Sequence, residues 1–464
     1  MISINDIKNV YFIGIGGIGM SALARYFKTL NKKVSGYDKT ETVLTRQLEA
    51  EGIAVHYADD IDRADKDADI IVYTPAIPNN HHELNYFRAN NYPLLKRSDV
   101  LQIITEDTFN ICVAGTHGKT TISSMIGHLL RATGYGCNAF LGGIAVNYDS
   151  NYWSSERRVC VVEADEFDRS FLKLNPDIAV ISAMDADHLD IYGTEEAMRD
   201  AFVEFSSKIK PNGMLLYKKD LARANDLLAS RKFNYSLNDT YASAFAVDIR
   251  MEEGSYHFDV RTHQGSVRDL TLHMGGLHNV ENMVVAVSVA NELGISHESI
   301  REAVSTYRGV RRRFEYIIKA KADTGPVFID DYAHHPQEVK ALIEGAKKLF
   351  PGLKCTVLFQ PHLFSRTRDL AEGFAASLDL ADEVILLPIY PARELPVEGV
   401  SAALILDKMK LANKWIVKKE EVLSYFENML NESGVKGRLI ITAGAGDIDM
   451  LVKPMKTIIE KQMI

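Results

Sequence analysis

The sequence predicts an α/β protein in three domains. These are an N-terminal Rossmann-like domain, a central phosphate-loop domain with a mostly parallel sheet and a small antiparallel one, and a C-terminal Rossmann-like domain. Three observations predict it. Short apolar runs alternate with helix-patterned stretches along most of the chain, as parallel strands joined by crossover helices do. Two glycine-rich loops, beginning at Gly14 and Gly115, each follow an apolar run and open a helix. The chain has 464 residues, too many for one hydrophobic core. The expected domains span residues 1–107, 108–313 and 314–464.

Composition narrows the class. The chain is 46% hydrophobic and 25% charged, with a formal net charge of -9. This is ordinary globular composition, and an acidic balance with interspersed signs argues against a non-specific nucleic-acid surface. Cys112, Cys137, Cys160 and Cys355 have no paired spacing, and Cys112 and Cys160 sit in apolar runs. They read as core thiols of a reducing compartment. No apolar run reaches about 18 residues and no secretory leader is recognised, so no membrane span is expected and a cytoplasmic location is. Oligomeric state is left open.

In chain order, residues 9–13 read as a strand, Gly14-Ile15-Gly16-Gly17-Ile18-Gly19 as a loop, 20–30 as a helix and 33–38 as a strand ending in Asp38. This is Gly-x-Gly-x-x-Gly with an acid about 20 residues on, a dinucleotide fingerprint. The physics is broader. The loop cradles a pyrophosphate, which a UDP-sugar carries as well as NAD does, and Asp38 can accept hydrogen bonds from a ribose or a base edge. Strands follow at 53–55 and 70–73, and residues 74–78 form a loop at a strand's carboxyl end, where open α/β sheets bind ligands. His81 and His82 read as a solvated pair, because adjacent side chains diverge on a helix or strand.

Residues 111–114 read as a buried strand and 122–132 as a helix, with Gly115-Thr116-His117-Gly118-Lys119-Thr120-Thr121 between them. Such a loop closes backbone N–H groups on phosphate oxygens, and the helix N-terminus adds partial positive charge. Lys119 is placed to reach the terminal phosphates and Thr120 to hold Mg²⁺. The usual loop has a glycine where this chain has Val113, so the loop is a shortened form. The strand 158–162 leads into Glu163-Ala164-Asp165-Glu166-Phe167-Asp168, and the strand 178–183 into Asp185-Ala186-Asp187-His188-Leu189-Asp190. Acids at strand ends of a phosphate-loop domain are expected to face the nucleotide's metal. Short antiparallel strands are expected at 214–217, 244–249 and 256–260, then a helix over 278–292. The junction from Arg308 through Arg311, Arg312 and Arg313 is basic, and guanidinium groups suit phosphate.

Strands recur at 327–330, 355–359, 383–387 and 438–442 with helical patterns between them, a third doubly wound domain. Its strand ends carry Asp330-Asp331-Tyr332-Ala333-His334-His335-Pro336, Gln360-Pro361-His362-Leu363-Phe364-Ser365-Arg366 and Gly444-Ala445-Gly446-Asp447. Three such sets suggest one shared site.

These residues, taken in order, resemble the muramyl ligase family over essentially the whole chain. The most specific pieces are Gly14 to Ser21, Gly115 to Thr121, Glu163 to Glu166, Asp187 to Asp190, Gly276 to Asn279, Arg312 to Phe314, Asp330 to Pro336 and Arg366 to Asp369. Within the family the chain is most similar to the branch that joins L-alanine to UDP-N-acetylmuramate. The resemblance implies a UDP-sugar-binding domain, a central ATPase and a C-terminal domain that completes the amino-acid and ATP site. It implies ligation at the expense of ATP: the sugar's lactyl carboxylate takes the γ-phosphoryl group, and the amine of alanine attacks the resulting acyl phosphate.

Residue by residue, the resemblance places the catalytic roles on Lys119, Glu163, His188, His334 and Arg366. Thr120, Glu163 and His188 match Mg²⁺ ligands. Gly115 to Thr121, with His278, Asn279, Arg313 and Asp331, match the ATP site. Gly16, Gly17, Ile18, Gly19 and Asp38 match the UDP-sugar site, and His334 and Arg366 match the positions that face the amino acid. Two departures stand out. Many alanine-adding relatives have Arg where this chain has Leu363. Ligases for later residues carry a carbamylated lysine, whereas residues 201–205 contain no lysine. Three alternatives remain at this stage: a recycling ligase that attaches a peptide to the same sugar; from residues 9–38 alone, an NAD-dependent oxidoreductase; and a non-catalytic ATP-dependent switch or motor, against which the polar strand ends of the last domain argue.

Overall fold

The structure, a computed structural model, describes residues 4–185, 189–319, 325–392 and 394–463, with backbone alone at 189 and 190. Three sheets are distributed over two compact units. The first unit comprises Met1–Val247, Val260–Arg268 and Glu281–Val304; the second comprises Asp248–Asp259, Asp269–Val280 and Ser305–Ile464.

The N-terminal sheet contains β1 (Asn9–Ile13), β2 (Lys33–Tyr37), β3 (Ala54–His56), β4 (Ile70–Tyr73) and β5 (Leu94–Lys96). Its order is β3-β2-β1-β4-β5, all parallel. Alternation on β1 sends Val10 and Phe12 into the cluster with Leu23 and Phe27, and Tyr11 and Ile13 into the one with Leu84 and Phe87. The strand order reverses at β1, so the first glycine loop leaves the sheet at the switch point that binds ligands in such folds. The expected solvated histidine pair is half wrong. His82 is exposed, but His81 is buried, caps the helix His82–Ala89 by accepting the Leu84 N–H, and packs edge-on to Tyr37 at 4.7 Å. Asp59 oxygens lie 3.2 Å from His81 Nδ1 and 3.1 Å from His82 Nδ1.

The central sheet contains β6 (Phe109–Ala114), β7 (Asn138–Ala145), β8 (Ser150–Trp153), β9 (Val159–Glu163), β10 (Ile178–Ile181), β11 (Met214–Lys218), β12 (Arg231–Ser236), β13 (Ala244–Glu252), β14 (Ser255–Thr262) and β15 (Gly265–Leu272). Its order is β15-β14-β13-β12-β11-β10-β6-β9-β7-β8. Residues 214–217 were expected among antiparallel strands; instead β11 pairs in parallel with both β10 and β12. Its Met214, Leu215 and Leu216 are fully buried, as a strand covered on both faces requires. Turns at Glu253-Gly254 and His263-Gln264 join β13, β14 and β15, an antiparallel meander continuous with the parallel sheet. The β7–β8 hairpin carries no clear sequence signal, because Gly142 and Gly143 interrupt its apolar alternation. It packs against the helix Lys119–Ala132, where Trp153 covers Gly127. It also holds the helix Ile18–Thr29: Asn151 donates to Ile18 O at 2.5 Å and to Ser21 Oγ at 2.9 Å.

The third sheet contains β16 (Glu315–Lys319), β17 (Val327–Asp331), β18 (Lys354–Phe359), β19 (Glu383–Leu386), β20 (Lys414–Ile416) and β21 (Arg438–Ala443). Its order is β16-β17-β21-β18-β19-β20, parallel except for the antiparallel β16–β17 pair. A buried polar cluster crosses three of its strands. Arg438 donates to Glu383 at 2.7 Å and to Thr356 at 3.0 Å. Adjacent carboxyl ends of β17, β21 and β18 bring the three polar strand-end sets side by side. Among the described residues no helix is long and apolar enough to cross a membrane.

Candidate active site

The glycine loop of the central sheet is shaped by backbone that only glycine tolerates well. Gly115 has φ +131° and Gly118 φ +83°, and a Cβ on Gly115 would strike Ser182 and the Ala183 amide. The loop is tied to the β10 end: the Thr116 N–H donates to Ala183 O at 3.2 Å, Ser182 Oγ to His117 O, and the Asp185 N–H to Thr116 Oγ1 at 3.2 Å. The helix Lys119–Ala132 starts at Gly118 with its first amides toward the loop, an anion-binding arrangement. The Asn282 carboxamide oxygen lies against Gly118, 3.3 Å from where a Cβ would sit, a neighbour that no local pattern marks.

Glu163 ends β9 beside this loop. It accepts Thr120 Oγ1 at 3.0 Å and the Gly142 N–H at 2.8 Å. Burial pushes its carboxyl above the usual range, against the pull of Lys119. Lys119 Nζ donates to Gly115 O at 2.8 Å and to Glu166 Oε1 at 2.6 Å. Glu166 is fully buried, and burial raises its carboxyl too. The acid cluster was expected to face a metal as a set, and it divides. Glu163 and Glu166 face the loop, while Asp165 pairs with Arg97 at 3.4 Å and Asp168 with Lys96 at 3.5 Å. Left-handed backbone at Asp168 and Arg169, φ +54° at each, turns the chain after Glu166. In the second acid cluster Asp185 reaches His117 at 3.6 Å. Ala186, Asp187 and His188 lie outside the described residues, as do the side chains of Leu189 and Asp190, so the expected metal ligand His188 has no described position.

At the first glycine loop, Gly14 has φ +88°, and its N–H and that of Ile15 both donate to Tyr37 O. Asp38 accepts the Gly16 N–H at 2.7 Å through one oxygen and the Thr40 N–H at 3.1 Å through the other. Its carboxylate therefore holds the loop in shape. Gly17 precedes the helix Ile18–Thr29, so Ile18 and Gly19 are in its first turn. Arg97 lies over Gly19, its Nη1 2.9 Å from where a Cβ would sit. This guanidinium beside a pyrophosphate-type loop was missed, and the signal was the basic pair Lys96-Arg97 at the end of β5.

The second unit holds the remaining candidates. Asp331 accepts the Phe314 and Ala333 N–H groups at 2.7 Å each, and burial pushes its carboxyl up to about 6, opposed by those amides and by Arg313. The Phe314 ring closes on Gly275, where a Cβ would overlap it. Asn279 is buried and donates to Gly275 O at 2.6 Å, whereas His278 is exposed. Asn279 and Asp331 are thus joined through the Gly275–Phe314 contact. Arg313 is exposed, with its guanidinium 5.7 Å from the Tyr332 ring centre. Arg312 does the structural work at this junction. It donates to Gly446 O at 3.4 Å and to Gly444 O, and sits 3.6 Å from Asp330.

His334 Nδ1 lies 2.9 Å from Tyr332 O, which can only accept, so the Nδ1 proton donates and Nε2 carries the lone pair. Burial lowers its pKa, assisted by Arg366 and Arg313. The ring stands 6.2 Å from that of His362, which stacks on Tyr390 at 5.8 Å. Arg366 lies in the first turn of the helix Phe364–Leu378, and its Nη1 is buried without a hydrogen-bond partner among the described residues. A desolvated guanidinium nitrogen with no acceptor beside a neutral imidazole is suited to a carboxylate ligand. Leu363 caps this helix at φ +70°, its N–H donating to Tyr390 O at 3.0 Å.

The Mur ligase family descriptions match in succession: the catalytic domain over residues 9–108, the middle domain over 113–290 and the glutamate ligase domain over 312–446. A UDP-N-acetylmuramate–L-alanine ligase of Flavobacterium johnsoniae is 46% identical over 465 aligned residues, covering 99% of this chain and 100% of that one. The crystal structure of the UDP-N-acetylmuramate-alanine ligase MurC of Thermotoga maritima superposes with a TM-score of 0.82 at 27% identity, over 98% of this chain and 99% of that one. The murein peptide ligase of Psychrobacter arcticus shares the fold, with a TM-score of 0.63 at 20% identity, over 97% and 98% of the two chains.

Proposed function

The chain belongs to the Mur ligase family, and on that premise we propose that it joins L-alanine to UDP-N-acetylmuramate at the expense of ATP, in peptidoglycan precursor synthesis. The observation that carries this is the end-to-end 46% identity to a relative of that name. Family membership removes the oxidoreductase alternative, since the first glycine loop then serves a UDP-sugar. All three substrates are small molecules of the cytoplasm, where we place the enzyme.

The reaction divides into two transfers. An oxygen of the lactyl carboxylate bonds to the γ-phosphorus while the β,γ-bridging P–O bond breaks, giving an acyl phosphate and ADP. The amine of L-alanine then bonds to the acyl carbon. The tetrahedral intermediate expels phosphate as the C–O bond breaks, and the nitrogen sheds its proton. Phosphoryl transfer needs positioned charge more than covalent help, so Lys119 and the loop amides neutralise the triphosphate as the anionic nucleophile approaches. Thr120 and Glu163, with oxygens 3.0 Å apart, supply the hard donors that Mg²⁺ prefers, and His188 is proposed as the third ligand. The ion, when bound, adds charge neutralisation at the γ-phosphate. Asn279, with His278, serves the adenine side of ATP, Asp331 the ribose side and Arg313 the phosphate side. Gly16, Gly17, Ile18 and Gly19 bind the UDP pyrophosphate, with Asp38 holding their loop. Arg366 pairs the alanine carboxylate, and the His334 Nε2 lone pair is placed to accept a proton from the alanine ammonium.

The test is phosphate release from ATP with Mg²⁺ and UDP-N-acetylmuramate, adding L-alanine, glycine, L-serine or the wall tripeptide in turn. Release that requires L-alanine is expected. Release only with the tripeptide would move the chain to the peptide-attaching ligases.

A further inference from the structure

A buried acid beside the phosphate loop remains outside the chemistry above. Glu166 has no exposed surface, its Oε1 accepts Lys119 Nζ at 2.6 Å, and its Oε2 is buried with no hydrogen-bond partner among the described residues. An unsatisfied carboxylate oxygen in the interior is destabilising, so its retention calls for a role. The other acids of the same stretch are committed elsewhere, Glu163 to Thr120 and Gly142, Asp165 to Arg97 and Asp168 to Lys96. Glu166 is itself well anchored. Its main-chain carbonyl accepts the Tyr192 hydroxyl at 2.7 Å and the Arg169 N–H at 3.0 Å.

We infer that Glu166 is a positioning residue that aims the Lys119 ammonium at the transferring phosphate. The inference rests on the reading that Lys119 faces the terminal phosphates of ATP. An ammonium has three N–H donors on a flexible four-carbon stem. Two acceptors, Gly115 O at 2.8 Å and Glu166 Oε1 at 2.6 Å, fix its rotation. The third donor then has one set direction and is left for the ligand. Fixing it before ATP arrives removes an ordering step from phosphoryl transfer. Glu166 touches no reacting atom and acts only through Lys119.

The experiment is steady-state kinetics of full-length Glu166→Gln and Glu166→Asp, varying each substrate in turn, beside thermal melts and Lys119→Ala. Glutamine keeps the shape and loses the charge; aspartate keeps the charge one carbon short. The expected result is a kcat about 10- to 100-fold lower in Glu166→Gln, with KM for L-alanine and UDP-N-acetylmuramate within about threefold of wild type. Partial recovery is expected in Glu166→Asp. A kcat within threefold of wild type in the folded glutamine variant overturns the inference. So does a loss in which kcat, every KM and the melting temperature move together, because that marks a structural role. Should Glu166→Gln not fold, the aspartate variant decides by the same split. Failure of the underlying reading looks different: Lys119→Ala would then turn over normally whatever Glu166 does.

Discussion

Adding one methyl group at Gly142 tests the geometry of the phosphate site most directly. The Gly142 N–H and Thr120 Oγ1 hold the two oxygens of Glu163, at 2.8 and 3.0 Å. A Cβ at Gly142 would sit 2.6 Å from the Glu163 carboxyl carbon and closer still to both oxygens. No such contact survives, so in Gly142→Ala the carboxylate must swing away. At least one of its two hydrogen bonds then breaks. A hydrogen bond to a charged group is worth about 1.5–3 kcal/mol, which corresponds to roughly a 10- to 150-fold loss in kcat/KM for ATP. Gly142 lies where the β7–β8 register shifts but does not have a positive φ that only glycine favours, so the fold should survive and the circular-dichroism melt should stay within a few degrees. The assay is L-alanine-dependent phosphate release across an ATP and Mg²⁺ titration, with the half-saturating Mg²⁺ concentration expected to rise. A folded Gly142→Ala enzyme with turnover within twofold of wild type would refute the reasoning, because the orientation of Glu163 would then not matter.

Arg366→Ala removes the guanidinium whose Nη1 is buried and unpartnered. The KM for L-alanine should rise at least 30-fold, about 2 kcal/mol, with that for ATP changing little; equal effects on both would show that Arg366 does not contact the amino acid. Arg438→Ala removes one of two cations on Glu383, leaving Lys354 at 2.5 Å and Thr356 Oγ1 at 2.8 Å, and the lost charged hydrogen bond should cost about 1.5–3 kcal/mol. An unchanged urea midpoint would count against it. Glu83 is fully buried, and burial pushes its carboxyl up to about 7 from an unfolded value near 4.5. Its contribution is therefore complete below about pH 4.5 and is lost as pH rises through about 7. Relative to Glu83→Gln, wild type should lose up to about 3 kcal/mol between those limits. Parallel pH profiles of the two in urea melts would show that Glu83 is not the titrating group.

The sequence by itself determined the parallel sheets, both glycine loops and the polar strand ends, because each is written locally. A buried parallel strand needs a continuous apolar run, as at Ile111 to Ala114. A phosphate loop needs its glycines adjacent in the chain, as at Gly115 and Gly118. Strand-end position follows from where the apolar run stops, so the polar sets that hold Asp331, His334 and Arg366 were legible, while the family resemblance singled out those three within them. What the tertiary structure alone decided are the pairings between distant segments. The acid stretch after β9 looked uniform, yet only packing assigned Glu163 to Thr120 and Gly142, Glu166 to Lys119, and Asp165 to Arg97. Asp38 read as a ribose acceptor, and only the fold turned both its oxygens onto backbone amides. The β7–β8 hairpin was invisible because Gly142 and Gly143 break its alternation. That glycine is required for a reason no local pattern records: the carboxylate of Glu163, from another strand, occupies the space where a side chain would be.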